Sequence, residues 1–506
     1  MKRFLQTRWA TWLALPVGAA VSLAFAPFNW WPLGILGTAY LFALWQNATP
    51  RRAAGSGFLF TAGTFLAGTY WLWHSVYEIG HAPVALTIFA IATIAGVMGA
   101  YTALTGYVLT RWVRVHGAVR WLLVLPAATA VVEWFRGWFL SGFPWLALGY
   151  TQTDAALAGL APLVGVYGVT FAVALSAGAV VGLLFGDTRA RIVAASVAAA
   201  TWILGFVLWG HEWTQPHGKP VTVAIVQGAI PQEMKLDQSQ FEHILEVYQT
   251  LTAPHLGTDI IVWPESALAV PVHMLGGFLG PQWDAARRSG STLVLGQLRR
   301  DPKREVYYNA VLALGEQPQW YAKRRLVPLS EFFPLPEFVK SWLQGMDLPY
   351  SGFEAGGDSQ PALDAAGQKL GITICYEDSY ASDQLAVLKQ ATLLVNVTND
   401  AWFGDSTAAH QHLQISRMRA LEAGRTLLRA ANDGISAIIG PDGRVTSTLP
   451  RFQPGVLTGS VQPRTGLTPY ARVGNWPVIA TSLVLLLGSF VLTAVIPARR
   501  SLSLPD

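Results

Sequence analysis

Leu370-Gly371-Ile372-Thr373-Ile374-Cys375-Tyr376-Glu377-Asp378, residues 370–378, holds the only cysteine of the 506-residue chain. The apolar run that ends at Cys375 reads as a strand with both faces covered, and the sequence turns polar at once after it. One cysteine excludes an intramolecular disulfide and a cysteine-based metal cluster. A lone thiol is either a small buried hydrophobe or a nucleophile. In mid-strand it would have apolar neighbours on both sides. At the carboxyl end of a strand it projects into the crevice where α/β proteins hold their ligands, which is a reactive setting.

Working outward, short β-rich runs begin near residue 219, at 221–226, 259–263, 292–296, 311–314, 370–375, 392–397, 436–439 and 456–461. Helical patterns between several of them predict a layered α/β domain with covered sheets, and Asp442-Gly443 predicts a hairpin turn. A second strand-end motif is Ile260-Ile261-Val262-Trp263-Pro264-Glu265-Ser266. Pro264 lacks the N–H of a central ladder, so the strand is expected to stop there and display the Glu265 carboxylate. Standing alone, this motif is also compatible with an ordinary surface glutamate. A third segment, Tyr321-Ala322-Lys323-Arg324-Arg325-Leu326-Val327-Pro328-Leu329-Ser330-Glu331, carries three consecutive cations. Such a run ordinarily marks a solvated loop, and composition does not single out one of the three.

The rest of the chain is a different material. The chain as a whole is 52% hydrophobic and only 13% charged, against about a quarter charged in ordinary soluble chains, so much of it is expected in lipid. Many of its 21 tryptophans flank apolar runs, as membrane-interface residues do. Runs near 9–27, 32–47, 55–73, 83–110, 119–136, 159–186, 192–210 and 476–496 predict about eight transmembrane helices. Every second loop is basic: Lys2, Arg3 and Arg8; Arg51 and Arg52; Arg111, Arg114 and Arg120; Arg189 and Arg191; Arg499 and Arg500. By the positive-inside rule both termini are cytoplasmic and the long insert faces outward. Because this placement of cations is topological, the net charge of +5 does not point to nucleic acid. The first run resembles a signal peptide, but six further runs follow it directly, which predicts an uncleaved anchor. Glu133 and Arg136, at helical i, i+3 spacing, read as a neutralising pair at a span edge. The domains expected are 1–210 as the membrane bundle, 211–475 as the catalytic domain, and 476–506 as a last helix with a short tail.

Glu, Lys and Cys in this order at strand ends of an α/β domain resemble the nitrilase, or carbon-nitrogen hydrolase, superfamily. Three separated motifs agree: Trp263-Pro264-Glu265-Ser266, the Lys323 to Glu331 segment, and Cys375-Tyr376-Glu377. The stretches 396–404 and 429–436 look like that superfamily too. With the seven-plus-one layout of apolar runs, nearly the whole chain is similar to the apolipoprotein N-acyltransferase family. The resemblance implies a nitrilase-like α-β-β-α domain with Glu265 as general base, Lys323 as electrostatic stabiliser and Cys375 as nucleophile. It implies supporting roles for Glu331, Tyr376, Glu377 and Trp402. Two departures stand out: Ser330 where a glycine is common, and Leu236 where a tryptophan is common, which puts a gating role at that position in doubt.

The function implied is acyl transfer from a membrane phospholipid, through a Cys375 thioester, to the amino group of a diacylglyceryl-cysteine apolipoprotein, in the bacterial inner membrane. No cofactor, metal or nucleic acid is called for, and a monomer suffices. His410 and His412 fall at i, i+2 on an expected helix, so they do not share a face for a metal. A membrane-tethered nitrilase-type amidase uses the same triad and is the alternative. A transport role fits poorly, because few ionisable residues lie within the apolar runs.

Overall fold

The computed structural model describes residues 2–328, 330–332 and 352–495. Two six-stranded sheets carry the α/β part. In spatial order the first is Gly455–Val461, Val221–Gln227, Ile260–Pro271, Thr292–Asp301, Val306–Leu314 and Pro318–Ala322. The second is Val445–Thr448, Ala437–Ile439, Leu427–Ala431, Leu393–Thr398, Gln368–Ile374 and Leu363–Ala365. Each sheet has a parallel centre of three strands and antiparallel margins.

Alternation along the strands assigns each face. Val223, Ile225, Ile260 and Val262 of the first sheet share a core with Ile372, Ile374, Val395 and Val397 of the second. Their neighbours Ala224, Val226, Ile261 and Trp263 face the opposite way, under helices Phe241–Thr252 and Gly276–Ser289. On the far face of the second sheet, Leu394, Leu427 and Ile439 pack with Ala420 and Ala423 of helix Ala408–Ala423. The result is the layered α-β-β-α arrangement of a nitrilase-like domain. That last helix has a second neighbour, because it is wedged between the sheet and the bundle of apolar helices.

Among the described residues, five helices are long and apolar enough to cross a membrane: Val84–Trp112, Gly117–Arg136, Ala156–Phe185, Thr188–Leu208 and Trp476–Ala494. This corrects the expected eight. The first run is divided into Arg8–Trp12, Ala14–Val21 and Ser22–Ala24, because Pro16 has no N–H to offer the carbonyl of Trp12. The second forms only Pro32–Trp45, 14 residues. The third forms Pro50–Gly68, whose length suffices but whose hydropathy is lowered by Arg51, Arg52 and several Gly, Ser and Thr. Among the five, Ala156–Phe185 is the central one, 72% of its apolar window being buried, against 11% for Thr188–Leu208. Leu86, Ile88 and Phe89 on one helix, Ile203, Phe206 and Val207 on another and Val484, Leu487 and Val491 on a third remain exposed. Apolar surface of that extent is stable against hydrocarbon rather than water. Arg499 and Arg500 lie outside the described residues.

The eight strands read from the sequence are present, with six more among the described residues at Gln215–Pro216, Pro318–Ala322, Leu363–Ala365, Leu427–Ala431, Val445–Thr448 and Arg464–Thr465. Asp442-Gly443 turns between Ala437–Ile439 and Val445–Thr448, with Gly443 at φ 73°.

Candidate active site

Glu265, Lys323, Glu331 and Cys375 meet where the carboxyl ends of the two parallel sheet centres face each other. Lys323 is at the middle, 1% exposed, donating from Nζ to Glu265 Oε1 at 3.1 Å and to Glu331 Oε1 at 2.9 Å. Asn309 Nδ2 bridges the same two oxygens at 2.7 and 2.8 Å. The remaining carboxylate oxygens accept main-chain N–H groups: Asn399 N donates to Glu265 Oε2 at 3.0 Å and Val327 N to Glu331 Oε2 at 2.8 Å. Two carboxylates and one ammonium leave the centre with one excess negative charge. Burial opposes the Lys323 charge, yet Glu265 and Glu331 outweigh it and hold the ammonium well above its usual range.

Glu265 reaches this position differently from the sequence expectation. Strand Ile260–Pro271 continues past Pro264. It is the ladder that breaks, its register with Thr292–Asp301 jumping between Trp263 and Leu268. The proline removes a ladder donor and the chain bulges, with Ser266 at φ 46°, so that Glu265 points inward.

Cys375 follows strand Gln368–Ile374 as the first residue of a 3-10 turn, Cys375–Ser379. Its φ of 52° is a left-handed conformation that costs a non-glycine residue on the order of 1–3 kcal/mol. Burial and the Glu265 charge push the thiol well above its usual pKa, and Lys323 pulls the other way without prevailing. The resting thiol is therefore neutral, and it becomes a thiolate only by giving its proton to a base.

The remaining expected residues take distinct places. Glu377 is 1% exposed and does not hydrogen-bond Lys323; Glu331 does that. Glu377 instead accepts from Ile374 N at 2.7 Å, Arg324 N at 2.6 Å and Tyr321 Oη at 3.1 Å, tying the Lys323 loop to the Cys375 turn. The Tyr376 ring lies against Phe143 and Trp145 of the helical bundle, and its hydroxyl donates to Gly142 O at 3.3 Å. Trp402 faces the bundle by its main chain, its carbonyl accepting from Ser75 Oγ at 2.6 Å. It is not part of the Glu265–Lys323–Glu331 hydrogen-bond cluster. Leu236 ends helix Gln232–Leu236, and its side chain lies outside what the structure describes.

These comparisons with known proteins fit the geometry. The apolipoprotein N-acyltransferase N-terminal domain matches residues 17–179, and the carbon-nitrogen hydrolase domain matches residues 222–470. The apolipoprotein N-acyltransferase of Methylococcus capsulatus is 41% identical over 92% of this chain and 93% of its own length. The chain belongs to the apolipoprotein N-acyltransferase family. That of Azotobacter vinelandii is 40% identical over 95% of this chain and 96% of its own, and that of Pseudomonas aeruginosa UCBPP-PA14 37% over 97% of each. Among solved structures, an amidase from Nesterenkonia sp. aligns with a TM-score of 0.36 at 19% identity, covering 52% of this chain and 97% of its own. As a member of the apolipoprotein N-acyltransferase family, the protein is an acyltransferase of the carbon-nitrogen hydrolase superfamily.

Several groups around the site were not anticipated. Asn309 is a polar residue inside the strand run Tyr-Tyr-Asn-Ala-Val-Leu, and such a break in an apolar run is the signal that could have marked it. Lys235 is buried with Nζ donating to Ser266 O at 3.1 Å; burial holds its ammonium down to about 8 despite Asp433 and Glu265. Beneath Cys375, His412, Asp378, Asp400 and Arg429 form a buried, charge-balanced quartet. In the sequence His412 stands out only as a possible metal ligand. Asp400 and Arg429 lie in the matched stretches, without an assigned role.

Proposed function

We propose that the protein transfers a fatty acyl chain from a membrane phospholipid to the α-amino group of a diacylglyceryl-cysteine apolipoprotein, in two half-reactions through a Cys375 thioester. The observation that carries this reading is the lone neutral thiol of the chain sharing a buried centre with a lysine ammonium and the Glu265 carboxylate.

In the first half-reaction Cys375 Sγ attacks the ester carbonyl while Glu265 accepts the thiol proton, forming the C–S bond. The developing oxyanion takes charge from Lys323 Nζ and a hydrogen bond from Tyr376 N–H, an early amide of a helical turn and so without an intrahelical acceptor. Collapse breaks the ester C–O bond, and Glu265 returns its proton to the lysophospholipid oxygen. In the second half-reaction the free amine attacks the thioester, Glu265 accepts a proton from nitrogen, and the C–S bond breaks to restore the thiol. Glu331 and Asn309 orient Lys323 and Glu265, and Glu377 keeps their loop against the nucleophile turn.

Residues 1–210 and 476–506 serve as the membrane part, with residues 211–475 facing the periplasm and both termini cytoplasmic; because four of the five long apolar helices precede residue 211, this orientation requires the shorter helical stretches before Val84 to contribute an odd number of crossings. The exposed apolar helices support placement in a bilayer, and the alternation of basic loops supports this orientation. A single chain holds every residue of the mechanism, which supports action as a monomer.

Intact mass spectrometry after exposure to phospholipid tests the proposal. An adduct of one fatty acyl group is expected at Cys375, discharged by an amine acceptor and absent in Cys375→Ala. Release of free fatty acid or of a soluble amide's acid, with no adduct that an amine discharges, gives the site to a hydrolase instead.

A further inference from the structure

The Cys375 carbonyl and the Tyr376 N–H belong to one planar trans peptide, so they point in opposite directions and whatever holds the oxygen also aims the hydrogen. The oxygen is held. It accepts from His412 Nε2 at 3.2 Å and, less closely, from Asn396 Nδ2 at 3.4 Å. The His412 ring is fixed in turn. Nδ1 meets Asp400 Oδ1 at 2.9 Å, and Nε2 also meets Asp378 Oδ1 at 3.1 Å. Arg429 completes the set, donating to Asp400 Oδ2 at 3.0 Å and to Ser416 Oγ at 3.0 Å, while Ser416 donates to Asp378 Oδ2.

We propose that His412 is a positioning residue for the reaction: by holding the Cys375 carbonyl it fixes the direction of the Tyr376 N–H and thereby builds the oxyanion site. Every group facing the two ring nitrogens is an acceptor, so both nitrogens donate and the ring is an imidazolium. Burial and Arg429 oppose that charge, and Asp378 and Asp400 overcome them, raising the imidazole to about 9. Trp145 packs against the ring at 5.4 Å between centroids, which adds to the restraint on its orientation. Among the described residues the other side chain on this oxygen is Asn396, at the longer 3.4 Å and with Thr373 Oγ1 at 3.0 Å as its nearer partner.

His412 also sits on the helix that meets the bundle. Its neighbour Gln411 donates to Gly68 O at 3.0 Å and accepts from Trp145 Nε1 at 2.7 Å. The oxyanion site is therefore aligned from a helix seated on the apolar bundle, one residue away from that seat.

The inference rests on the acyl-transfer reading only in requiring that an oxyanion forms. Its test uses two probes on the purified full chain in detergent. Iodoacetamide alkylates Cys375, the chain's single thiol, by a displacement that needs no oxyanion. p-Nitrophenyl butyrate acylates the same sulfur through a tetrahedral oxyanion. His412→Ala is expected to slow acylation by about 10²-fold while changing alkylation by less than about threefold. His412→Gln, which keeps a donor, is expected to slow acylation about tenfold with alkylation again unchanged, and it carries the test if the alanine variant does not fold. Equal losses with both probes, or undiminished acylation, overturn the proposal; so does a wild-type chain that alkylates but never acylates. If the split holds with the nitrophenyl ester while phospholipid gives no adduct, the positioning role stands and the phospholipid donor falls.

Discussion

At the scale of single residues, the site is governed by one buried cation between two carboxylates. Lys323→Gln leaves Glu265 and Glu331 facing each other with only Asn309 between them. Breaking a buried pair in this way costs about 3–5 kcal/mol, so a lower melting temperature is expected together with loss of acyl-enzyme. In the double variant Lys323→Gln/Glu331→Gln one unpaired charge is gone; it is expected to melt higher than the single variant while staying inactive. A double variant that melts lower shows that the carboxylates do not repel. His412 gives a pH signature of definite sign. Its folded pKa of about 9 stands above the ordinary 6.5, so its contribution is complete below about pH 6.5 and is lost as pH rises through 9. The groups facing it are Asp378, Asp400, Arg429, the Cys375 carbonyl and the Trp145 ring. Lys235, held near 8, titrates in the same range with the opposite sign. The difference between wild type and His412→Gln isolates the histidine: a stability gap of roughly 3 kcal/mol at pH 6 is expected to close by pH 10. Melting curves that stay parallel across that range contradict the charged ring.

At the scale of elements, helix Ala408–Ala423 joins the two halves of the chain. Gln411 reaches Gly68 O, Trp71 Nε1 and Trp145 Nε1; Gln414 accepts from Ala26 N at 3.2 Å; Glu422 accepts from Val166 N at 2.7 Å. These polar contacts lie in buried surroundings, so each lost partner costs about 1–3 kcal/mol. Gln411→Ala leaves Trp145 Nε1 without its acceptor and removes a bridge to Gly68 O and Trp71 Nε1, which keep the hydrogen bond between them; it is expected to lower the melting temperature, as circular dichroism in detergent would read. Within the bundle, helices Ala14–Val21 and Pro50–Gly68 touch backbone to backbone. A Cβ on Gly63 would stand 2.1 Å from Leu15 O, and one on Gly18 1.9 Å from Phe60 O. Gly63→Val is expected to reduce the yield of folded protein sharply, because two small residues set the helix spacing there. Ordinary expression of this variant with an unchanged melt would show that the helices move apart at little cost.

At the scale of the whole molecule, one continuous apolar core runs from the bundle into the space between the sheets. The α/β layers are thus packed on the apolar helices rather than tethered to them. The orientation proposed for the membrane part is open to a labelling experiment in a Cys375→Ala background. A cysteine at Thr188, between two apolar helices, is expected to react with an impermeant maleimide only after the inner membrane is opened. One at Glu305, in an exposed turn of the first sheet, is expected to react in intact spheroplasts. The reverse pattern inverts the topology.

Much of this protein was legible in its sequence because the signals are local. A strand that turns polar at Cys375, a proline before Glu265 and long apolar runs each report their own surroundings within a few residues. The spans are fewer than the apolar runs because composition marks an apolar run but not the helix it forms; Pro16, the 14-residue Pro32–Trp45 and the lowered hydropathy of Pro50–Gly68 decide that separately. Which cation of Lys323, Arg324 and Arg325 turns inward, which of Glu331 and Glu377 holds it, and what His412 does were decided by tertiary structure alone. Those choices depend on charges and main-chain amides that come from distant strands, and a buried ion finds its partner in space rather than along the chain.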